Sequence, residues 1–147
     1  MKIRQLFVAA LATLAAPSIA LGASATLYKS PTCGCCSAYV DYLEARGYDI
    51  EVIHPSSMNS IKDRFGVAPV VTSCHTMRIG GYTIEGHVPA DALARLLEEQ
   101  PPITGISVPG MPTGVAGMGG PFRSPLEVVT LGGDSFATYF RHPEAAT

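Results

Sequence analysis

The chain has no tryptophan and little charge. Of its 147 residues, 15% are Asp, Glu, Lys or Arg, and 7% are aromatic. It contains no run of Lys or Arg, which excludes the basic footprint that nucleic acid or an anionic lipid surface selects. It has no long internal repeat, so a solenoid is excluded. It also lacks a good membrane anchor. The apolar run from Leu6 to Ala16 is interrupted by Pro17 and Ser18, whereas a span needs about 20 predominantly apolar residues. Cysteine is scarce at four residues, and three of them crowd into one tetrapeptide. That is too little to staple a scaffold of this length.

What is present begins with an export signal. Lys2 and Arg4 form a short basic region, the apolar run follows, and Ala23-Ser24-Ala25 offers a small-x-small exit. Residues 1–25 are therefore read as a secretory signal peptide, with cleavage after Ala25 preferred within the small stretch Gly22–Ala25. Residues 26–147 then form one domain. Loss of Lys2 and Arg4 leaves eight basic against twelve acidic residues, a net charge of −4.

The mature part reads as α/β. Thr26 to Lys29 is a strand. From Cys36 the apolar positions Cys36, Tyr39, Val40 and Leu43 recur at helical spacing, and Gly47 suits the residue after the helix. Tyr48 to Ile53 alternates as a half-buried strand. Ser56 or Ser57 caps a second helix with Met58, Ile61 and Phe65 on one face, ending near Gly66. Val70 to Cys74 is rich in β-branched residues and reads as a strand. Gly80-Gly81 turns a hairpin into Tyr82 to Glu85. Asp91 to Gln100 is a helix stopped by Pro101-Pro102. This β-α-β-α-β-β-α order is the thioredoxin-like arrangement. Residues 103–121 carry six glycines, three prolines, Met111 and Met118, and read as a flexible loop with no regular element. Leu126 to Leu131 and Phe136 to Phe140, joined through Gly132-Gly133-Asp134, read as a closing hairpin.

The chemistry resides in the cysteines. Cys33 and Cys36 form Cys-x-x-Cys at a helix N-terminus, where unpaired N–H groups and the dipole favour thiolate. Thiolates serve equally in disulfide exchange and in binding soft metals. Cys35 adds a third sulfur that a dithiol enzyme does not need. Cys74 follows Pro69 by five residues, where a thioredoxin-like fold would bring it to face the dithiol. Cys33, Cys35, Cys36 and Cys74 together suit copper(I), with zinc the less favoured ion because a structural zinc site draws ligand pairs from two knuckles. About four monovalent ions would neutralise four thiolates, so a multinuclear cluster is open.

Three further residues join the ligand set. His75 qualifies only if the strand ends or twists there, since neighbours in a strand face opposite sides; otherwise it is a structural histidine. Met111 and Met118 offer thioethers, against the plainer reading that they pack over an apolar patch. His87 is weighed on the same grounds as His75 and stays outside the set. His54 and His142 are read as surface residues, Tyr39 and Tyr42 as core and helix-face residues.

The segments Leu27-Tyr28-Lys29-Ser30-Pro31-Thr32-Cys33-Gly34-Cys35-Cys36, Gly66-Val67-Ala68-Pro69, Ser73-Cys74-His75-Thr76, Gly81 to Ala90 and Val108-Pro109-Gly110-Met111-Pro112 together resemble the domain-of-unknown-function 411 family, which includes CopG-like proteins of copper-resistance systems. The resemblance runs from Leu27 to about Gly119. It implies a periplasmic, thioredoxin-like copper-binding protein with its metal on the four cysteines, in contact with copper ions and other periplasmic copper-handling proteins. Met77 and Arg78 stand where the family commonly has a small residue after Cys-His-Thr, and Met118-Gly119-Gly120 carries less charge than the family's loop. The alternative function is a periplasmic thiol–disulfide oxidoreductase working through Cys33 and Cys36.

Overall fold

The computed structural model describes residues 23–122, 125–132 and 136–142. Residues 1–22 of the segment read as a leader lie outside the described residues, as do Gly133 and Asp134 of the closing turn. Among the described residues, seven strands form one mixed sheet: β1 (Ser24–Tyr28), β2 (Asp49–Ile53), β3 (Thr76–Ile79), β4 (Tyr82–Glu85), β5 (Gly105–Ser107), β6 (Leu126–Leu131) and β7 (Thr138–His142). They lie in the order β2-β1-β3-β4-β5-β6-β7. Three α-helices connect them: α1 (Gly34–Glu44), α2 (Met58–Arg64) and α3 (Ala90–Glu99).

Two parallel pairs need crossovers, and helices supply both. α1 carries the chain from β1 to parallel β2, and α3 carries it from β4 to parallel β5. β3 is antiparallel to β1 and is joined to β4 by the Gly80-Gly81 turn, with Ile79 opposite Tyr82. The predicted order of elements through α3 is thus found, apart from the position of β3.

The apolar periodicity explains the main core. Tyr39, Val40 and Leu43 of α1, and Ala92, Leu93 and Leu96 of α3, pack on Ala25, Leu27, Met77, Ile84 and Ile106 of the sheet. A smaller cluster of Val67, Val71 and Leu131 is separate from it. α2 buries none of its residues; Ser57 Oγ accepts from Ser60 N at 3.3 Å as its N-cap, and Lys62 ties the helix to Glu85 of β4.

Three readings need correction. The strand expected over Val70 to Cys74 is a 3-10 turn, Pro69–Val71, followed by a loop, and β3 begins only at Thr76. The backbone there bonds elsewhere: Ser73 N donates to the Glu85 carboxylate at 2.6 Å, and the Val71 carbonyl accepts from Ser107 Oγ at 2.7 Å. Local β-propensity loses to these long-range partners. Secondly, residues 103–121 are not without regular structure. They supply β5, and Val108, Val115 and Ala116 are buried. Thirdly, the first strand, read as Thr26 to Lys29, runs from Ser24 to Tyr28. Ala25 pairs with both Ile50 and Ile79 and is 5% exposed.

Candidate metal centre

α1 begins where the first half of the site is built. Cys33 is its N-cap residue, held in a turn by its own N–H to the Ser30 carbonyl at 3.1 Å. Its side chain makes no cap hydrogen bond, because it is joined to Cys36 in a disulfide. The site expected as four thiolates therefore holds two free thiols, Cys35 and Cys74, beside one disulfide. Cys36 is fully buried, and Cys35 Sγ lies 3.4 Å from Cys33 Sγ.

The second half comes from the loop before β3, and a buried carboxylate fixes it. Glu85 of β4 has no exposed surface, and its two oxygens accept from Ser73 N (2.6 Å), Thr76 Oγ1 (2.6 Å) and the Lys62 ammonium. Ser73 Oγ in turn donates to the Gly110 carbonyl. Cys74 is thus pinned from both sides, and the four sulfurs lie within 4.8 Å of one another. Bringing Cys74 to the dithiol was the step that depended on the fold, and the structure makes it.

The absence of a strand at 70–74 changes the reading of His75. With no alternation to turn it away, its Nδ1 lies 3.4 Å from Cys74 Sγ. His87, kept outside the expected set, comes closer still: its Nε2 is 3.1 Å from Cys74 Sγ. His87 Nδ1 donates to the Ala116 carbonyl at 2.6 Å, so the lone pair of the neutral ring is on Nε2 and faces the thiol. Its signal in the sequence was position alone, between Gly86 and the start of α3, and position does not reveal a partner thirteen residues away. Both rings are fully buried, and Tyr39 walls them in, 4.8 Å from His75 and 5.1 Å from His87 between ring centroids. Tyr39 is a core residue as expected, but also the lining of the site, its hydroxyl donating to the Val88 carbonyl at 2.7 Å.

The electrostatics favour neutral forms. Burial, with Cys35 next, pushes the Cys74 thiol up to about 11, the Ser73 hydroxyl pulling it back in part. Burial holds His75 well below its ordinary range, with His87 and Lys62 adding to the effect and the Gly86 carbonyl opposing it. Burial likewise lowers His87. At neutral pH a Cys74 S–H therefore donates to His87 Nε2, and a soft ion would bind by displacing that proton.

The glycine-rich segment is strapped across this site. Gly117 sits at φ +77, and a Cβ there would be 2.5 Å from the Cys35 carbonyl oxygen and 2.8 Å from Tyr39 N. Met111 follows Gly110, which Ser73 holds, and is 58% exposed; Met118 packs against the core. His54 is exposed, its Nδ1 3.0 Å from the Lys29 carbonyl oxygen.

Fold and site define a mixed α/β protein with a cysteine cluster able to hold a metal. Comparison with known proteins narrows this class. The family described as protein of unknown function DUF411 matches residues 71–118. Two solved forms of the copper resistance protein CopG are similar over most of this chain. Form 2 has TM-score 0.76 and 33% identity, covering 83% of this chain and 99% of that one; form 1 has TM-score 0.74 and 34% identity, covering 82% and 98%. No curated protein matches. The chain belongs to the DUF411 family, together with CopG.

Proposed function

We propose that this protein binds copper(I) on Cys33, Cys35, Cys36 and Cys74 after reduction of the Cys33–Cys36 disulfide, and serves copper resistance or copper handling. The convergence of four sulfurs within 4.8 Å carries this reading. Thiolates select soft monovalent copper, and a pair of ions or more bridged by them offsets the charge that four buried thiolates would concentrate. The solved relatives are copper resistance proteins, which supports the choice of copper over zinc. Met111 and Met118 adjoin residues bonded to or pressed on the site, and we assign them an accessory role at its rim.

The setting is the periplasm, reached by the leader of residues 1–25, and the partners are copper ions and other periplasmic copper-handling proteins. Among the described residues no helix is long and apolar enough to cross a membrane. We read the unit from β1 to α3 as thioredoxin-like. This rests on β1 and β2 running parallel around α1, with antiparallel β3 and β4 continuing the sheet.

One observation favours the second function. Cys33 and Cys36 are disulfide-bonded with Cys35 Sγ 3.4 Å from Cys33 Sγ, the arrangement a thiol–disulfide oxidoreductase would use. Copper counting on the reduced protein, beside an insulin-reduction assay, separates the two. Copper retention without catalysis supports the binding role, and catalysis without copper retention supports the enzyme. Cys35→Ser sharpens the test: it lowers copper(I) affinity at least about tenfold, while a Cys33–Cys36 redox cycle would survive it.

A further inference from the structure

Cys74 belongs to two clusters. Besides the four-sulfur group, Cys74, His75 and His87 each present one donor atom, the three lying within 4.8 Å of one another. The second group contains neither Cys33 nor Cys36, so the disulfide that removes two sulfurs from the first group leaves it intact. We propose that in the disulfide state Cys74 Sγ, His75 Nδ1 and His87 Nε2 form a separate site for a single divalent ion, copper(II) being the natural occupant. This deepens the copper reading in the choice of metal; the donor set itself stands on geometry alone.

Three features make the group a built site. His87 is oriented by its Nδ1 donating to the Ala116 carbonyl at 2.6 Å, the outer hydrogen bond that fixes the tautomer and aims the opposite nitrogen in a metal-binding histidine. His75 and His87 are both fully buried, stand edge to face with centroids 4.9 Å apart, and cannot swing away, because Tyr39 backs both rings. His75 is held by packing and not by an outer hydrogen bond: its Nε2, the nitrogen that does not face Cys74, is buried and has no hydrogen-bond partner among the described residues.

The donor chemistry then selects the ion. One thiolate and two imidazoles form the trigonal set that suits copper(II), and the same set takes zinc(II) or cobalt(II). Binding is balanced by release of the Cys74 proton to solvent and needs no electron transfer. The two clusters share one sulfur, so they are alternatives: copper(I) on thiolates when the dithiol is reduced, one divalent ion when it is oxidised.

The test uses the purified protein with its disulfide intact, confirmed by a count of two free thiols. Cobalt(II), which does not oxidise thiols, is titrated in the absence of reductant. The expected result is one ion per chain, with a thiolate-to-cobalt charge-transfer band and tetrahedral ligand-field bands. His75→Ala and His87→Ala should each weaken binding at least about tenfold. Because either variant can disturb packing on Tyr39, the wild-type protein is also loaded with one copper(II), and its electron paramagnetic resonance should show coupling to two imidazole nitrogens. No binding, binding that survives both substitutions, loss through only one histidine, or a copper(II) signal without two coupled nitrogens overturns the site. Copper(I) uptake by the reduced protein is a separate measurement, so failure here and failure of the proposed function are told apart.

Discussion

At the residue scale the site depends on side chains that ligate nothing. Glu85 is buried with its charge matched by Lys62, whose side chain is 11% exposed, and it also binds the Ser73 N–H beside Cys74. Lys62→Met leaves that carboxylate buried without its cation and should cost about 3 kcal/mol in urea unfolding; a change below about 1 kcal/mol would assign the pair to the weak surface class. His75 sets an acid limit. An unfolded imidazole takes up a proton near 6.5, but the buried ring resists it, so the unfolded chain binds more protons below that value. Stability present above pH 6.5 should therefore fall as the pH drops through the window below it. Thermal unfolding of the metal-free protein from pH 7.5 to 5.5 measures this. A flat Tm, or the same slope in His75→Asn, contradicts it. His75 and His87 also show what the sequence could not convey. The face His75 presents was judged from strand alternation, and no strand exists there; the partner of His87 is a long-range contact with no local pattern.

At the element scale, the helices and the glycine turn were legible because their signals are local. Cys36, Tyr39, Val40 and Leu43 announce α1, and all four are buried. Val70 to Thr72 carried an equally local signal for a strand, yet Ser73 N and the Val71 carbonyl are drawn to Glu85 and Ser107, which lie far along the chain. The segment from Ile103 to Pro121 misled in the opposite sense. Its glycines mark backbone pressed against the site as well as freedom. Gly117 is the clearest case, with positive φ and α1 backbone at Cys35 and Tyr39 where a Cβ would have to stand. Gly117→Ala should lower stability by roughly 2 kcal/mol or more, from left-handed strain and the clash with the Cys35 carbonyl. It should also reduce copper retention, since the displaced backbone is that of Cys35. An unchanged melting curve would mean that the strap is not seated there.

At the scale of the molecule, one sheet places a loop-borne thiol opposite a helix-borne dithiol, and the redox state of that dithiol decides how many sulfurs are available. The four cysteines were evident from the sequence, and their meeting point was an inference from the order of elements that the sheet now supports through β1, β3 and β4. The start of β1 bears on export as well, since cleavage after Ala25 would take two residues from that strand. The most direct measurement is the number and oxidation state of copper ions held by the fully reduced protein, counted against its four thiols. The cluster predicts several copper(I) ions, about four per chain, with all four cysteines protected from alkylation and uptake cut sharply in Cys35→Ser. Saturation by a single ion would contradict a shared thiolate cluster, and failure to retain copper would contradict the proposed function itself.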